Sequence, residues 1–134
     1  MGSKSGRRSV FISHAWTDAG LALELAEALA QAGVPAVISA KPVLAAEDSG
    51  SELEHELRSA RTMVVLLTPK SVESASLLFE VGAAIADSKT IIPVLLEGIR
   101  PEDVPGVLRK HDSIQARTPR QAAEGIAAAI KAPA

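Results

Sequence analysis

A chain of 134 residues with a formal net charge of −2 has room for one packed domain. Its acids and bases nearly balance and only 2 % of its residues are aromatic, which argues against a nucleic-acid binder built on basic patches and stacking rings. It has no cysteine, so disulfides, cysteine nucleophiles and thiolate metal sites are excluded.

Hydrophobic residues make up 47 % of the chain, but the rings are only Phe11, Trp16 and Phe79, so the core must be aliphatic. No apolar run approaches the roughly 18 residues that a membrane span needs. The start, MGSKSGRRS, lacks the apolar segment of a secretory signal. It matches an N-myristoylation site only in part, because Gly6 stands where Ser or Thr is wanted. Residues 1–8 read as a flexible lead and residues 9–132 as a single domain. The expected setting is cytoplasmic, with neither nucleic acid nor membrane as a direct partner.

In chain order, short aliphatic runs alternate with helical patterns. SVFIS (9–13) reads as a buried strand. Thr17 and Asp18 then offer an N-cap, Leu21, Leu25 and Leu29 follow at helical spacing, and Gly33 ends the helix. PAVIS (35–39) is a second strand, followed by a long loop over 40–50. Ser51 and Glu54 form a capping-box pattern before another helix. TMVVLLT (62–68) is apolar on both faces, as a central parallel strand should be. SASLLFEVGAAIA (74–86) is a buried helix carrying one charge, Glu80. TIIPVLL (90–96) is a strand that Pro93 pushes towards an edge or a bulge. The next stretch is irregular, DSIQA (112–116) is a last short strand, and Thr118, Pro119 and Gln121 open a closing helix. This alternation, β-α repeated about five times, predicts an α/β fold with an open parallel sheet and helices on both faces.

In such a sheet, ligands bind outside the carboxyl ends of the strands. The residues that follow the strands are therefore the candidates: Ser13 to Asp18, with His14 and Trp16 among them, after the first, Ser39 and Lys41 after the second, residues 68–71 after the third, which lead to Ser76 and Glu80, and Glu97 and Gly98 after the fourth. Phosphate-cradling glycine motifs and the nucleophile elbow are absent, and the histidines suggest no metal cluster.

VFISHAWTDAGLALELAEAL resembles the first motif of the Toll/interleukin-1 receptor (TIR) domain family, and SVESASLLFEVGAAIADSKTIIPVLLEGI resembles the later block of bacterial TIR domains of the NAD-cleaving type. The likeness runs from about Ser9 to Ala132, and it implies a flavodoxin-like open parallel five-stranded sheet in the order 2-1-3-4-5 with helices on both faces. It implies NAD⁺ nucleosidase activity (glycohydrolase or ADP-ribosyl cyclase) with Glu80 as the catalytic carboxylate and NAD⁺ as substrate, without cofactor or metal. It also implies activation by self-association with other TIR domains, a sensor domain or protein, and a role in bacterial immune or stress signalling. His14 matches the family's Tyr or His, and residues 40–50 match its BB loop. Ser76 stands where many active members have Trp, and Ser39 where many have Asp.

Each candidate also has a plainer reading. Glu80 could be solvated or pair with Lys70 or Lys89. His14 could only bond backbone, and Trp16 could only cover the end of the core. Ser76 could be a helix cap, and Lys41 a solvated loop charge rather than a phosphate contact. The competing function is a non-catalytic TIR–TIR assembly module, and a third is glutamate-dependent N-ribosyl transfer on free nucleosides or nucleotides.

Overall fold

The computed structural model describes residues 10–38, 60–71 and 90–131. Five parallel strands are joined into one sheet in the order β2-β1-β3-β4-β5, as the family resemblance implies. They are β1 (Val10–Ser13), β2 (Ala36–Ile38), β3 (Thr62–Leu67), β4 (Thr90–Leu95) and β5 (Ile114–Gln115). β3 pairs with β1 from Val10 opposite Thr62 to Ser13 opposite Val65, and with β4 from Thr62 opposite Thr90 to Leu67 opposite Leu95.

Two helices are described, α1 (Ala19–Gln31) and α2 (Pro119–Lys131). The helices expected over 51–60 and 74–86 fall largely or wholly outside the described residues. α1 ends at Gly33, whose φ of +88° suits glycine, while Val34 N–H donates to Leu29 O at 2.8 Å and closes the turn. α2 begins with the expected cap: Gln121 N–H donates to Thr118 Oγ1 at 3.1 Å, and Arg117 N–H donates to Gln121 Oε1 at 2.9 Å. Between β4 and β5 the irregular stretch forms two short 3₁₀ turns, Pro101–Asp103 and Gly106–Leu108.

Strand periodicity divides the core in two. Val10 and Ile12 of β1, Val64 and Leu66 of β3, and Ile92 and Val94 of β4 face one side. There they meet Ala22, Leu25 and Leu29 of α1 and Ala122, Ala123 and Ile126 of α2. Phe11, Met63, Val65, Leu67, Ile91 and Leu95 face the other side, packed with Ala60, Ile99, Val104 and Leu108. Both sheet faces are therefore apolar, which is why the strands read as continuous hydrophobic runs.

Pro93 sits inside β4 opposite Val65 of β3. β5 pairs with β4 only from Val94 onward, so the first half of β4 has a ladder partner on one side alone. The missing N–H of Pro93 is accommodated there, and the expected edge character holds for that half of the strand.

Leu66 is fully buried in the central strand. Leu66→Ala is expected to cost about 3 kcal/mol through lost burial and an unfilled cavity, read as a lower urea midpoint at unchanged m-value.

Candidate functional site

The direction in which strands are added reverses between β1 and β3, and this switch point is where open parallel sheets form their ligand crevice. β1 delivers Ser13 to its carboxyl end fully buried, followed by a half-buried His14. The His14 Nδ1–H donates to Ala15 O at 2.8 Å. A carbonyl can only accept, so that nitrogen carries a proton. Ala15 O also receives the Asp18 N–H at 2.9 Å, closing a 3₁₀ turn over Trp16–Asp18.

That turn sends its two outer side chains in opposite directions. Trp16 is 70 % exposed, so it does not cover the end of the core. Asp18 is only 3 % exposed. It precedes α1 directly, yet its side chain makes no cap hydrogen bond, contrary to the N-cap expected from sequence. The carboxylate instead reaches β3. The Thr68 hydroxyl donates to it, shared between Oδ2 at 2.9 Å and Oδ1 at 3.1 Å.

Thr68 is itself held in a tight turn. Its N–H donates to Ser71 Oγ at 2.9 Å, Ser71 N–H donates to Thr68 O at 3.0 Å, and Lys70 N–H donates to Thr68 Oγ1 at 3.3 Å. The Ser71 hydroxyl lies within reach of Thr68 O at 3.3 Å and Leu66 O at 3.5 Å. Asp18 also sits at the positive end of a 13-residue helix, which favours its negative charge.

A second concavity lies further along the same edge, at the ends of β4 and β5. It encloses about 630 Å³ and is lined by Leu95, Glu97, Ile99, Gln115, Ala116 and Arg117 among others. Glu97 has φ +58° and Gly98 φ +85°, two successive left-handed residues. For Glu97 that conformation costs roughly 1–2 kcal/mol. Arg117 adjoins the start of α2, whose first N–H groups are partly used by its own cap.

Of the residues singled out in the sequence, the structure brings Ser13, His14 and Trp16 together at the β1 end of the switch point. Glu80, Ser76, Ser39 and Lys41 lie outside the described residues. Among the described residues no group of His, Asp or Glu could hold a metal ion. Nor is any described helix long and apolar enough to cross a membrane.

Sequence reasoning missed the burial of Asp18. The signal was present: Asp18, Ala22, Leu25 and Leu29 form one helical stripe, and all four are buried. It also missed the left-handed Glu97, for which the following Gly98 was the only cue.

Residues 10–130 match the TIR domain family. The solved structures similar to this chain include a metazoan TIR-STING receptor from C. gigas in complex with 2′,3′-cGAMP, with a TM-score of 0.69 and 21 % identity over 92 % of this chain. A second structure of a metazoan TIR-STING receptor from C. gigas gives a TM-score of 0.68 and 22 % identity over 93 % of this chain. This chain spans only 39 % and 40 % of the length of those receptor chains, and at such identity the likeness concerns the fold. No curated protein sequence gives a match. With the family match covering nearly the whole chain and the strand order in agreement, this protein belongs to the TIR domain family.

Removing the Thr68 hydroxyl would leave the Asp18 carboxylate buried without its donor. Thr68→Val is therefore expected to destabilise the fold by about 3 kcal/mol, more than its near-identical shape would suggest, as measured by equilibrium urea unfolding.

Proposed function

We propose that this TIR domain cleaves NAD⁺ at the bond between nicotinamide and ribose, as a glycohydrolase or an ADP-ribosyl cyclase, with Glu80 as the catalytic carboxylate. The observation that carries the reading is Trp16. A large apolar ring, 70 % exposed, stands at the switch point of a TIR sheet, where a nicotinamide or adenine ring can stack on it. Glu80 is supplied by the sequence resemblance, which puts the family's catalytic glutamate at this position.

The chemistry needs little else. Nicotinamide in NAD⁺ is a pyridinium cation. When the glycosidic bond breaks, its electron pair goes to the ring nitrogen and the group leaves neutral, so no general acid is required. Positive charge develops at the ribose carbon and its ring oxygen. One ionised carboxylate beside that centre stabilises the charge and can accept hydrogen bonds from ribose hydroxyls. Water then adds to the carbon and releases a proton to give ADP-ribose. Alternatively, a nitrogen of the adenine in the same molecule adds to give a cyclic isomer.

A domain of this size offers only part of a composite site, so activity depends on self-association under the control of a sensor. The resemblance puts such an enzyme in bacterial immune or stress signalling, and a cytoplasmic setting suits a chain without cysteine. A second reading, a non-catalytic TIR–TIR assembly module, is favoured by Ser76 and Ser39, which replace the Trp and Asp of many active members.

The deciding experiment is NAD⁺ consumption by clustered protein, with products separated by chromatography. Nicotinamide is expected from the wild type. Glu80→Ala and Glu80→Gln should each lower turnover by about 100-fold or more. Trp16→Ala is expected to raise KM roughly tenfold, with Trp16→Phe in between, through loss of stacking. A wild type that stays inert even when clustered would leave the assembly module as the better account.

A further inference from the structure

All the buried polar side chains among the described residues, Ser13, Asp18, Thr68 and Ser71, sit at the carboxyl ends of β1 and β3. The rest of the described core is apolar. Asp18 is the only carboxylate among them, and local structure does not account for it. The 3₁₀ turn is closed by backbone groups, and α1 starts without the Asp18 side chain as a cap. The Thr68–Ser71 turn is likewise closed by its own backbone and the Ser71 hydroxyl. The hydrogen bonding of the Asp18 carboxylate runs across the sheet, to Thr68.

Such an arrangement is expensive. A buried carboxylate that accepts from one hydroxyl is weakly compensated, and an apolar pair of the same shape would often be as stable or more so. Buried polar groups of this kind are retained in some proteins for the geometry they fix rather than the stability they add. The geometry fixed here joins two turns. Asp18 closes the turn that displays Trp16. Thr68 begins the turn that ends at Ser71, from which the chain runs on into the stretch carrying Glu80.

We infer that Asp18 and Thr68 form a positioning clamp across the switch point, holding the Trp16 turn and the Thr68–Ser71 turn at the separation the NAD⁺ site requires. The inference rests on the NAD⁺-cleaving reading above for its functional sense. Neither residue touches the substrate. Both act through the elements they tie together, the Trp16–Asp18 turn on one side and the Thr68–Ser71 turn on the other. Ser71 is the inner support, because its hydroxyl orients the Thr68 backbone N–H while the Thr68 hydroxyl engages Asp18.

The test uses the full chain and four variants: Asp18→Ala, Thr68→Val, the double variant Asp18→Ala/Thr68→Val, and Thr68→Ser. The double variant replaces both partners with apolar groups, so its unfolding temperature should recover towards wild type. Its clamp stays broken. With clustered protein and NAD⁺, the double variant should keep a kcat about tenfold or more below wild type, with KM changed by no more than about twofold. Thr68→Ser keeps the hydroxyl and should retain kcat. Amide hydrogen exchange at Ser71, whose N–H bonds the Thr68 carbonyl that the substitution keeps, should be faster in the double variant, and its Trp16 fluorescence emission should shift. A double variant that regains unfolding temperature, kcat, exchange and emission together would overturn the proposal and leave the pair merely structural. If the wild type does not turn over NAD⁺, the enzymatic reading fails separately. The clamp is then judged on exchange and emission: faster exchange with shifted emission supports it, and wild-type values overturn it.

Discussion

The pairing of β1 with β3 is the constraint on which the rest of the structure depends. These strands are separated in sequence by a helix, by β2 and by the stretch before residue 60, yet they lie side by side at the centre of the sheet. Their register from Val10 opposite Thr62 to Ser13 opposite Val65 decides which side chains face α1 and α2 and which face Ile99, Val104 and Leu108. A slip of one residue would turn each strand's apolar set to the opposite face. Because both faces are covered, hydrophobicity alone specifies that register weakly. Side-chain size and the polar groups at the strand ends have to supply the remainder.

The division of labour along the strands follows from this. Their middles are aliphatic and interchangeable in chemistry. Polarity is confined to the carboxyl ends, where Asp18 and Thr68 meet and where chain direction leaves room for a ligand. The energetic cost of a buried acid is thus incurred beside the crevice and nowhere else in the described core. The left-handed Glu97 at the end of β4 fits the same pattern, since strained backbone tends to gather where a fold does something besides fold.

Much of the architecture was legible in the sequence because aliphatic runs and helical stripes differ in period. The five strands, the Gly33 stop and the Thr118/Gln121 cap could be read from local pattern, whereas the strand order came from the family resemblance, because no local period encodes a crossover. Asp18 was misread for a physical reason: an acid before a helix is usually a cap, and only the long-range partner Thr68 draws it inward. Trp16 was ambiguous because one ring at a strand end serves equally well as a lid on the core or a surface for stacking. Its exposure settles that it is no lid. Ser13 is buried rather than lining open space, which periodicity could not show at the last residue of a strand covered on both faces.

The two outer strands, β2 and β5, are three and two residues long. Unpaired strand edges are templates on which another chain can add a strand, and short ones are poor templates. The free side of β4 next to β5 carries Pro93, which offers no donor to an incoming strand. This sheet is thereby protected at its margins against open-ended growth by backbone pairing. Contacts between copies of such a domain would then fall to side chains on helices and loops, which can form and dissolve without the near-irreversibility of a cross-strand ladder.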